Sequence, residues 1–257
     1  MFILVVAAVA VCPRLVSAYD PTLIQGSLIL APPGLSHPFG TDEYGRDVLS
    51  RVAYGARTSL RFALFATSIS IAASAIVGAF AAYYGGRFDR LVMRLVDVLM
   101  AFPGILLALI VVALLGPGLG QATIAVGFGQ APTFARVVRS SALGVRHRLY
   151  VEAAEAVGVP GYRILWRHLF PNIRHTVLVL ATLGFAEAIL IGASLSFLGL
   201  GAQPPTPEWG AMLGEARGYL ASAWWTAALP GSVLAATLLS LNIVGDQVRD
   251  LLDPRLR

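Results

Sequence analysis

The chain of 257 residues contains no lysine, and all 19 of its basic side chains are arginine. A glycine-rich phosphate loop of the kind that ends in lysine is therefore excluded along its whole length. Cysteine is almost as scarce. Cys12 stands alone, which excludes an internal disulfide and any cysteine-cluster metal site. The four histidines, His37, His147, His168 and His175, show no metal-ligand spacing, so no metal site is expected. His168 and His175 flank a helix break and read as interfacial residues. Charge is thin at 13% of residues, against 57% hydrophobic residues and a mean hydropathy of +0.74. That balance points to an all-α polytopic membrane protein rather than a soluble domain.

Apolar runs near residues 59–84, 91–115, 174–199 and 223–244 have the length a membrane span needs, about 20 residues. A weaker run at 121–138 is interrupted by Gln130 and Pro132. With Gly127 and Gly129 it is too polar to face lipid on every side, which predicts a helix inside the bundle. Residues 2–12 are too short to span comfortably and lack the charged start of a signal peptide. They read as a first transmembrane helix, short or truncated, which makes about six spans. Arginine placement orients them. Thirteen arginines (87, 90, 94, 136, 139, 146, 148, 163, 167, 174, 249, 255 and 257) fall on one side and five (46, 51, 57, 61 and 217) on the other, with Arg14 at the outer end of the first helix. The first side, with the C-terminus, is expected to be cytoplasmic. The net charge of +5 reflects this asymmetry and not nucleic-acid binding.

Residues 1–57 divide into the first transmembrane segment and an external segment, and 58–257 form the core. In the external segment, Thr41 is a plausible N-cap, Asp42 and Glu43 suit a first turn, and Tyr44, Val48, Leu49 and Val52 make an apolar stripe. This predicts an amphipathic helix on the outer bilayer surface. A calcium site at Asp42, Glu43 and Asp47 is a weaker reading, because the spacing misses the EF-hand pattern. Gly85 and Gly86 make a tight turn, after which Arg94 and Asp97 are placed to pair. Phe102-Pro103-Gly104 interrupts the third span, and the carbonyl freed there needs a neighbouring helix or cavity water. Glu187 is the one carboxylate deep in a span, where a charge needs a cavity or a partner. Met100, Phe102, Pro103, Gln130 and Glu187 are thus the candidate translocation path. Trp209, Trp224 and Trp225 suit the interface belt.

Between the fourth and fifth spans lies a polar island, YVEAAEAVGVPGYRILWRHLFPN, Tyr150 to Asn172. It reads as two short helices. Gly158 stops the first, and Pro160 suits the first position of the second. Tyr162, Leu165, Trp166 and Leu169 form one apolar stripe, Pro171 ends the helix, and Asn172 caps the next span.

This island resembles the EAA loop of ABC importer permeases. The GTDEYGRDVLSR, MRLVDVLMAFPG, LSFLGLG, QPPTPEWG and GDQVRDLLDPRLR blocks also stand in family order. From about Tyr19 to the end the chain is similar to the dipeptide/oligopeptide/nickel branch, and within it to the second of the two permease subunits. The resemblance implies a type I importer core with a cytoplasmic coupling loop at 140–172 that docks on an ATPase. It implies partners: a homologous second permease, two cytoplasmic ATPases and an extracytoplasmic substrate-binding protein, in the plasma membrane of a prokaryote. ATP and Mg would be bound by those ATPases, so the chain itself is no enzyme. Carried onto this sequence, the coupling residues are Glu152, Ala153, Ala154, Gly158, Arg163, Arg167, His168 and Pro171. Contact of Arg163 and Arg167 with lipid phosphates is the competing reading. Di- and oligopeptides are the expected substrates, with nickel or glutathione as alternatives. A secondary transporter would need an inverted repeat and several intramembrane charges, of which Glu187 alone fits.

Overall fold

The computed structural model describes residues 1–17 and 19–252, so Arg255 and Arg257 of the charge count lie outside the described residues. The chain is built from α1 (Phe2–Val11), α2 (Val48–Tyr84), α3 (Gly86–Met100), α4 (Gly104–Leu115), α5 (Leu119–Arg146), α6 (Leu149–Ala156), α7 (Gly161–Ile164), α8 (Phe170–Phe197), α9 (Trp209–Ala216) and α10 (Trp225–Leu252). Among the described residues the sole β pairing is one isolated bridge, Thr41 to Asp47. Helices dominate because backbone groups in hydrocarbon can be satisfied only within the segment that carries them.

α2, the continuous helix Gly161–Phe197 and α10 are each long and apolar enough to cross a membrane. The expected third span is instead two helices, α3 and α4, bent by 91° at the Phe102-Pro103 break. Proline has no N–H and forces the residue before it out of helical geometry, so the chain turns there. α5 has the length, 28 residues or about 42 Å, but not the apolarity of a lipid-facing span. It sits inside, with Ala122, Ala125, Val126, Ala135, Val138 and Ala142 buried. α1, at 10 residues, rises only about 15 Å. Its last carbonyls, on Ala10 and Val11, accept hydrogen bonds from the Arg57 guanidinium of α2.

Small residues let α5 approach its neighbours closely. A Cβ on Gly78 of α2 would stand 2.7 Å from the Ala135 carbonyl oxygen of α5, and one on Gly127 would stand 2.8 Å from Ile69. On the other sides of the bundle Gly129 meets Gly104 of α4, Gly184 of α8 lies under Phe134, and Gly192 lies under Phe62. This is the small-residue packing by which membrane helices gain van der Waals contact without a hydrophobic drive.

The outer segment differs from its sequence reading. Residues 41–47 form a folded loop, not a helix, and α2 begins at Val48 with Asp47 as N-cap. Asp47 accepts the Ser50 N–H at 2.7 Å and pairs with His37 at 2.8 Å. Thr41 is buried and caps nothing, and its backbone oxygen accepts the Trp225 indole N–H. Tyr44 is exposed while Val48 and Val52 are buried, so no single apolar stripe exists. Trp209 is fully buried and donates to the Val52 carbonyl at 3.0 Å, and Trp225 is buried too, leaving only Trp224 exposed as a belt residue should be. Polar satisfaction of these indoles inside the fold outweighs the pull of the interface.

The loop is locked by buried ion pairs. Arg46 donates to Asp42 at 2.6 Å, to Glu43 at 3.2 Å and to Glu215 of α9 at 3.1 Å. Arg51 reaches the same Glu215 carboxylate at 2.8 Å. Oxygens of Asp42, Glu43 and Glu215 lie within 4.8 Å of one another, and the two guanidinium groups fill the space a cation would need. Burial pushes the Glu43 carboxyl up from its ordinary value of 4.5, with Asp42 and Glu215 adding to the shift. A carboxyl held above its unfolded value costs stability as pH rises through that raised value, and the cost is absent in acid. Glu43→Gln should therefore raise the thermal midpoint of the purified protein at neutral pH and flatten its decline with pH. The two proteins should converge in acid. A lower midpoint at neutral pH would mean that the bond to Arg46 outweighs the burial of Glu43.

Candidate functional site

The polar island folds as a short helix, a tight turn and the start of a long rod. α6 ends at Ala156, and Gly158 follows with φ +79°, the left-handed conformation. The Val159 N–H donates to the Ala154 carbonyl and the Gly158 N–H to the Glu155 carbonyl, both at 3.0 Å. This doubly bonded stop satisfies two orphan carbonyls of α6 and requires a residue free of a Cβ penalty at position 158. Pro160 stands one residue earlier than expected, as N-cap to α7 rather than its first residue.

Pro171 does not end the helix it was expected to end. A π-helical turn over Leu165–Leu169 leads directly into α8, with Pro171 in the first positions of α8. The wider turn absorbs the missing proline N–H, so Gly161–Phe197 runs as one helix of 37 residues. Asn172 accordingly caps nothing, and its amide donates back to the His168 carbonyl at 2.6 Å.

The underside of the loop is apolar and buried. Val151, Ile164, Leu165 and Leu169 are sealed against Ala79 and Ala82 of α2 and Val138, Ala142 and Val145 of α5. The stripe read from sequence is thus split: Leu165 and Leu169 face in, while Tyr162 is 60% and Trp166 68% exposed. Ile164, unremarked in the stripe, takes their place inside. The outer surface carries Glu152, Ala153, Gly158, Arg163 and Arg167, all exposed, together with Val157 at 80%. Ala154 and His168 are half-buried, and His168 lies 5.8 Å from the Tyr150 ring. An exposed patch that combines two aromatic rings, Val157 and two arginines has the composition of a protein-docking surface.

Tyr83, at the end of α2, escaped the sequence reading. A Cβ on Gly161 would lie 2.7 Å from its ring, and the Arg146 guanidinium sits 5.9 Å above it. Arg146 also donates to the Ala82 carbonyl at 2.9 Å, and Glu155 faces the Tyr83 hydroxyl. The ends of α2, α5 and the loop therefore meet on one tyrosine. No periodicity signals such a contact, because its parts lie 63 to 78 positions apart in sequence, from Arg146 to Gly161.

Farther along the same rod, Glu187 is exposed on α8, in line with Leu190, Ser194 and Leu198 at helical spacing. A groove of about 440 Å³ lined by Leu190, Ser194 and Phe197 of α8, Leu198 at its end, Leu213 and Leu234 continues the face. Gln130 of α5 is buried behind Glu187, and its side-chain N–H donates to the Gly184 carbonyl at 3.2 Å. Its oxygen has no partner within the protein. Met100 is half-buried, whereas Phe102 and Pro103 are exposed at the break below α4, whose first residue touches Gly129, next to Gln130. Of the five candidate path residues, Gln130 and Glu187 are neighbours, with Gln130 behind the surface rather than on it, and the Phe102-Pro103 break joins them only through the contact of Gly104 with Gly129. Arg94 does not pair with Asp97 as expected, because Asp97 is taken by Arg136 of α5.

A helical bundle with three membrane-length apolar helices, an exposed polar loop and an exposed carboxylate on a long apolar helix suits a membrane permease. The comparisons with known proteins agree. Residues 74–257 match the family of binding-protein-dependent transport system inner membrane components, and the chain belongs to that family as a permease of an ABC importer. It is 42% identical over 250 residues to the dipeptide transport system permease protein DppC of Alkalihalophilus pseudofirmus, covering 95% of this chain and 82% of that protein. It is 43% identical over 258 residues to the glutathione transport system permease protein GsiD of Escherichia coli O6:K15:H31, covering 100% and 85%. In fold it is similar to a chain of the MetNI methionine ABC transporter in an inward-facing conformation, with TM-score 0.64, 18% identity and coverage of 79% and 96%.

The geometry of the turn yields a graded expectation. Because nothing lies within 4 Å of a Cβ built at position 158, a substitution there meets backbone strain alone. Gly158→Asn should be tolerated, Gly158→Ala should lower ATPase stimulation partially, and Gly158→Val, costing roughly 1–2 kcal/mol, should abolish it while membrane insertion persists. Hydrolysis stimulated by substrate in the assembled transporter measures the series. Full transport by Gly158→Val would sink the assignment of this turn.

Proposed function

We propose that this permease moves short peptides, as one of two homologous membrane subunits driven by two ATPases and fed by an extracytoplasmic binding protein. ATP and Mg belong to the ATPases in this reading. The core at 58–257 carries transport, and residues 1–57 supply the first membrane segment and the outer loop. The observation that carries the proposal is the unbroken helix from Gly161 to Phe197. Arg163 on its docking surface and Glu187 on its intramembrane face lie 24 residues apart, about 36 Å along one rod. When the ATPases close on Glu152, Ala153, Arg163 and Arg167, the rod tilts and Glu187 moves with it. The coupling stroke therefore reaches the path without passing through a hinge. A carboxylate on an otherwise apolar face suits a substrate with a free amino group. Dipeptides and glutathione, which the names of the relatives carry, share that group.

Transport rate per assembled complex tests the role of Glu187. Glu187→Gln keeps shape and hydrogen-bonding capacity, so assembly and basal ATPase activity should be unchanged while peptide uptake falls by about tenfold or more, the scale of one lost charge-assisted contact. Equal rates would remove Glu187 from the path and leave it a packing partner of Gln130.

The arginine asymmetry supports a cytoplasmic C-terminus and coupling loop. In a Cys12→Ser background, Thr206→Cys should react with an impermeant thiol reagent added outside, and Arg148→Cys should react only after permeabilisation. The reverse pattern would overturn the orientation.

A further inference from the structure

α3 presents three faces of different chemistry. Toward the protein it turns Val96, which is buried, and the carboxylates Asp89 and Asp97, which pair with Arg139 and Arg136 of α5. Away from the protein it exposes Phe88 at 47%, Leu91 at 65%, Leu95 at 60%, Val98 at 56% and Leu99 at 43%. These positions recur at three- and four-residue intervals and form one stripe about a third of the helix wide. Beside that stripe stand Arg87, Arg90 and Arg94, all exposed. None of the three has a carboxylate partner among the described residues. The acidic residues of α3 are thus consumed by α5 while its basic residues are left uncompensated.

The direction of the helix matters as much as its faces. α3 meets α4 at 91°, so where the apolar α4, 12 residues or about 18 Å long, runs into the bilayer along its normal, α3 lies near the membrane plane. A helix in that plane with an apolar stripe and a flanking basic row matches the boundary between acyl chains and headgroups. Arginine is suited to that boundary, since its stem lies along apolar surface while the guanidinium binds phosphate with two parallel hydrogen bonds.

We propose that α3 is a binding site for anionic phospholipid headgroups, held by Arg87, Arg90 and Arg94, with Phe88, Leu91 and Leu95 among the acyl chains. The leaflet is the cytoplasmic one, which rests on the orientation proposed above, whereas the lipid contact itself does not. Because α3 continues through Phe102 and Pro103 into α4, and Gly104 rests on Gly129 beside Gln130, the anchored helix holds the broken segment against the translocation face. A protein partner would need an apolar surface edged with acid, whereas the bilayer supplies both chemistries along one line.

The test uses the assembled transporter in vesicles of phosphatidylcholine alone or mixed in equal parts with phosphatidylglycerol. Retention of fluorescent phosphatidylglycerol by the complex should fall by about tenfold in R87Q/R90Q/R94Q and should weaken with added salt in the parent. Retention of phosphatidylcholine should not change. R163Q/R167Q, on the coupling surface, should leave lipid retention intact, so failure of the transport reading and failure of the lipid reading separate. Should the triple variant not assemble, Leu95→Cys in a Cys12→Ser background decides the matter with parent arginines. A fluorophore there should be quenched by brominated lipid. Unchanged phosphatidylglycerol retention in the triple variant would overturn the proposal. So would a label at position 95 that is shielded from lipid and cross-links to the second permease.

Discussion

The contact between α2 and α5 is the constraint on which the rest of the structure depends. With Gly78 and Gly127 admitting no side chain, two helices of 37 and 28 residues lie almost backbone to backbone. Water cannot drive such an approach inside a membrane, so it rests on van der Waals contact over a long seam. α4 and α8 then lean on the remaining sides of α5 through Gly129 and Phe134. At one end of the seam Ala79, Ala82, Val138 and Ala142 provide the floor on which the coupling loop sits. A side chain at Gly78 would not merely spread two helices. It would tilt that floor and move the docking surface with it.

The loop is joined to the bundle by two links of different stiffness. Through Val151, Ile164, Leu165 and Leu169 it is embedded in apolar contacts at the ends of α2 and α5, and Tyr83 pins Gly161 there. Through the π turn it is covalently one with α8. A force applied at Trp166 or Arg167 meets resistance from packing on one side and none from a hinge on the other. In the proposed stroke, motion of the loop and motion of the carboxylate face are therefore the same motion. The π turn is what permits this, because an ordinary α-helical turn carrying Pro171 would have kinked or broken there.

Much of this was legible in the sequence, and the failures have two causes, one local and one long-range. Apolar runs located α2, α4, α8 and α10, because length and hydropathy are properties of a segment alone. Gly158 announced its turn for the same reason. Pro171 misled because a proline was read as a terminator where the backbone widened around it. The outer loop misled more seriously. The spacing of Tyr44, Val48, Leu49 and Val52 suits a helix, but Asp42 binds Arg46 and the Tyr44 and Arg46 amides, and together they fold residues 41–47 into a loop. Tryptophans assigned to the interface went inside for a related reason, since Trp209 and Trp225 found carbonyl partners on Val52 and Thr41. For the tryptophans a contact from a distant part of the chain overruled a local pattern, whereas at Pro171 and in the outer loop a neighbouring turn or side chain did so. Tyr83 and Glu215 are the extreme instances, their roles set entirely by residues far from them in sequence.

The arginines divide by the same distinction between local and distant partners. On the outer side Arg46 and Arg51 are buried in ion pairs, and Arg57 caps α1, so three of the five outer arginines serve the fold. Arg61 and Arg217 are exposed there, as is Arg14 at the outer end of α1. On the inner side nine described arginines are exposed: 87, 90, 94, 136, 148, 163, 167, 174 and 249. A charge neutralised within the protein crosses or avoids a membrane with the fold that buries it, whereas an exposed one must find water or phosphate by itself. Arg255 and Arg257 lie outside the described residues, so counting only exposed side chains takes the asymmetry from eleven against six, Arg14 included, to nine against three, in the direction of the proposed orientation. It also identifies where the uncompensated charge concentrates, on α3 and on the coupling surface. The two surfaces share an excess of arginine and differ in what accompanies it. Beside Arg163 and Arg167 stand aromatic rings and Val157, the groups of a protein interface, and beside Arg87, Arg90 and Arg94 runs an unbroken aliphatic and phenyl stripe. One composition suits the proposed ATPase and the other the proposed bilayer contact, so on these two proposals a chain without lysine uses a single cation for two recognition tasks and lets the neighbouring side chains choose between them.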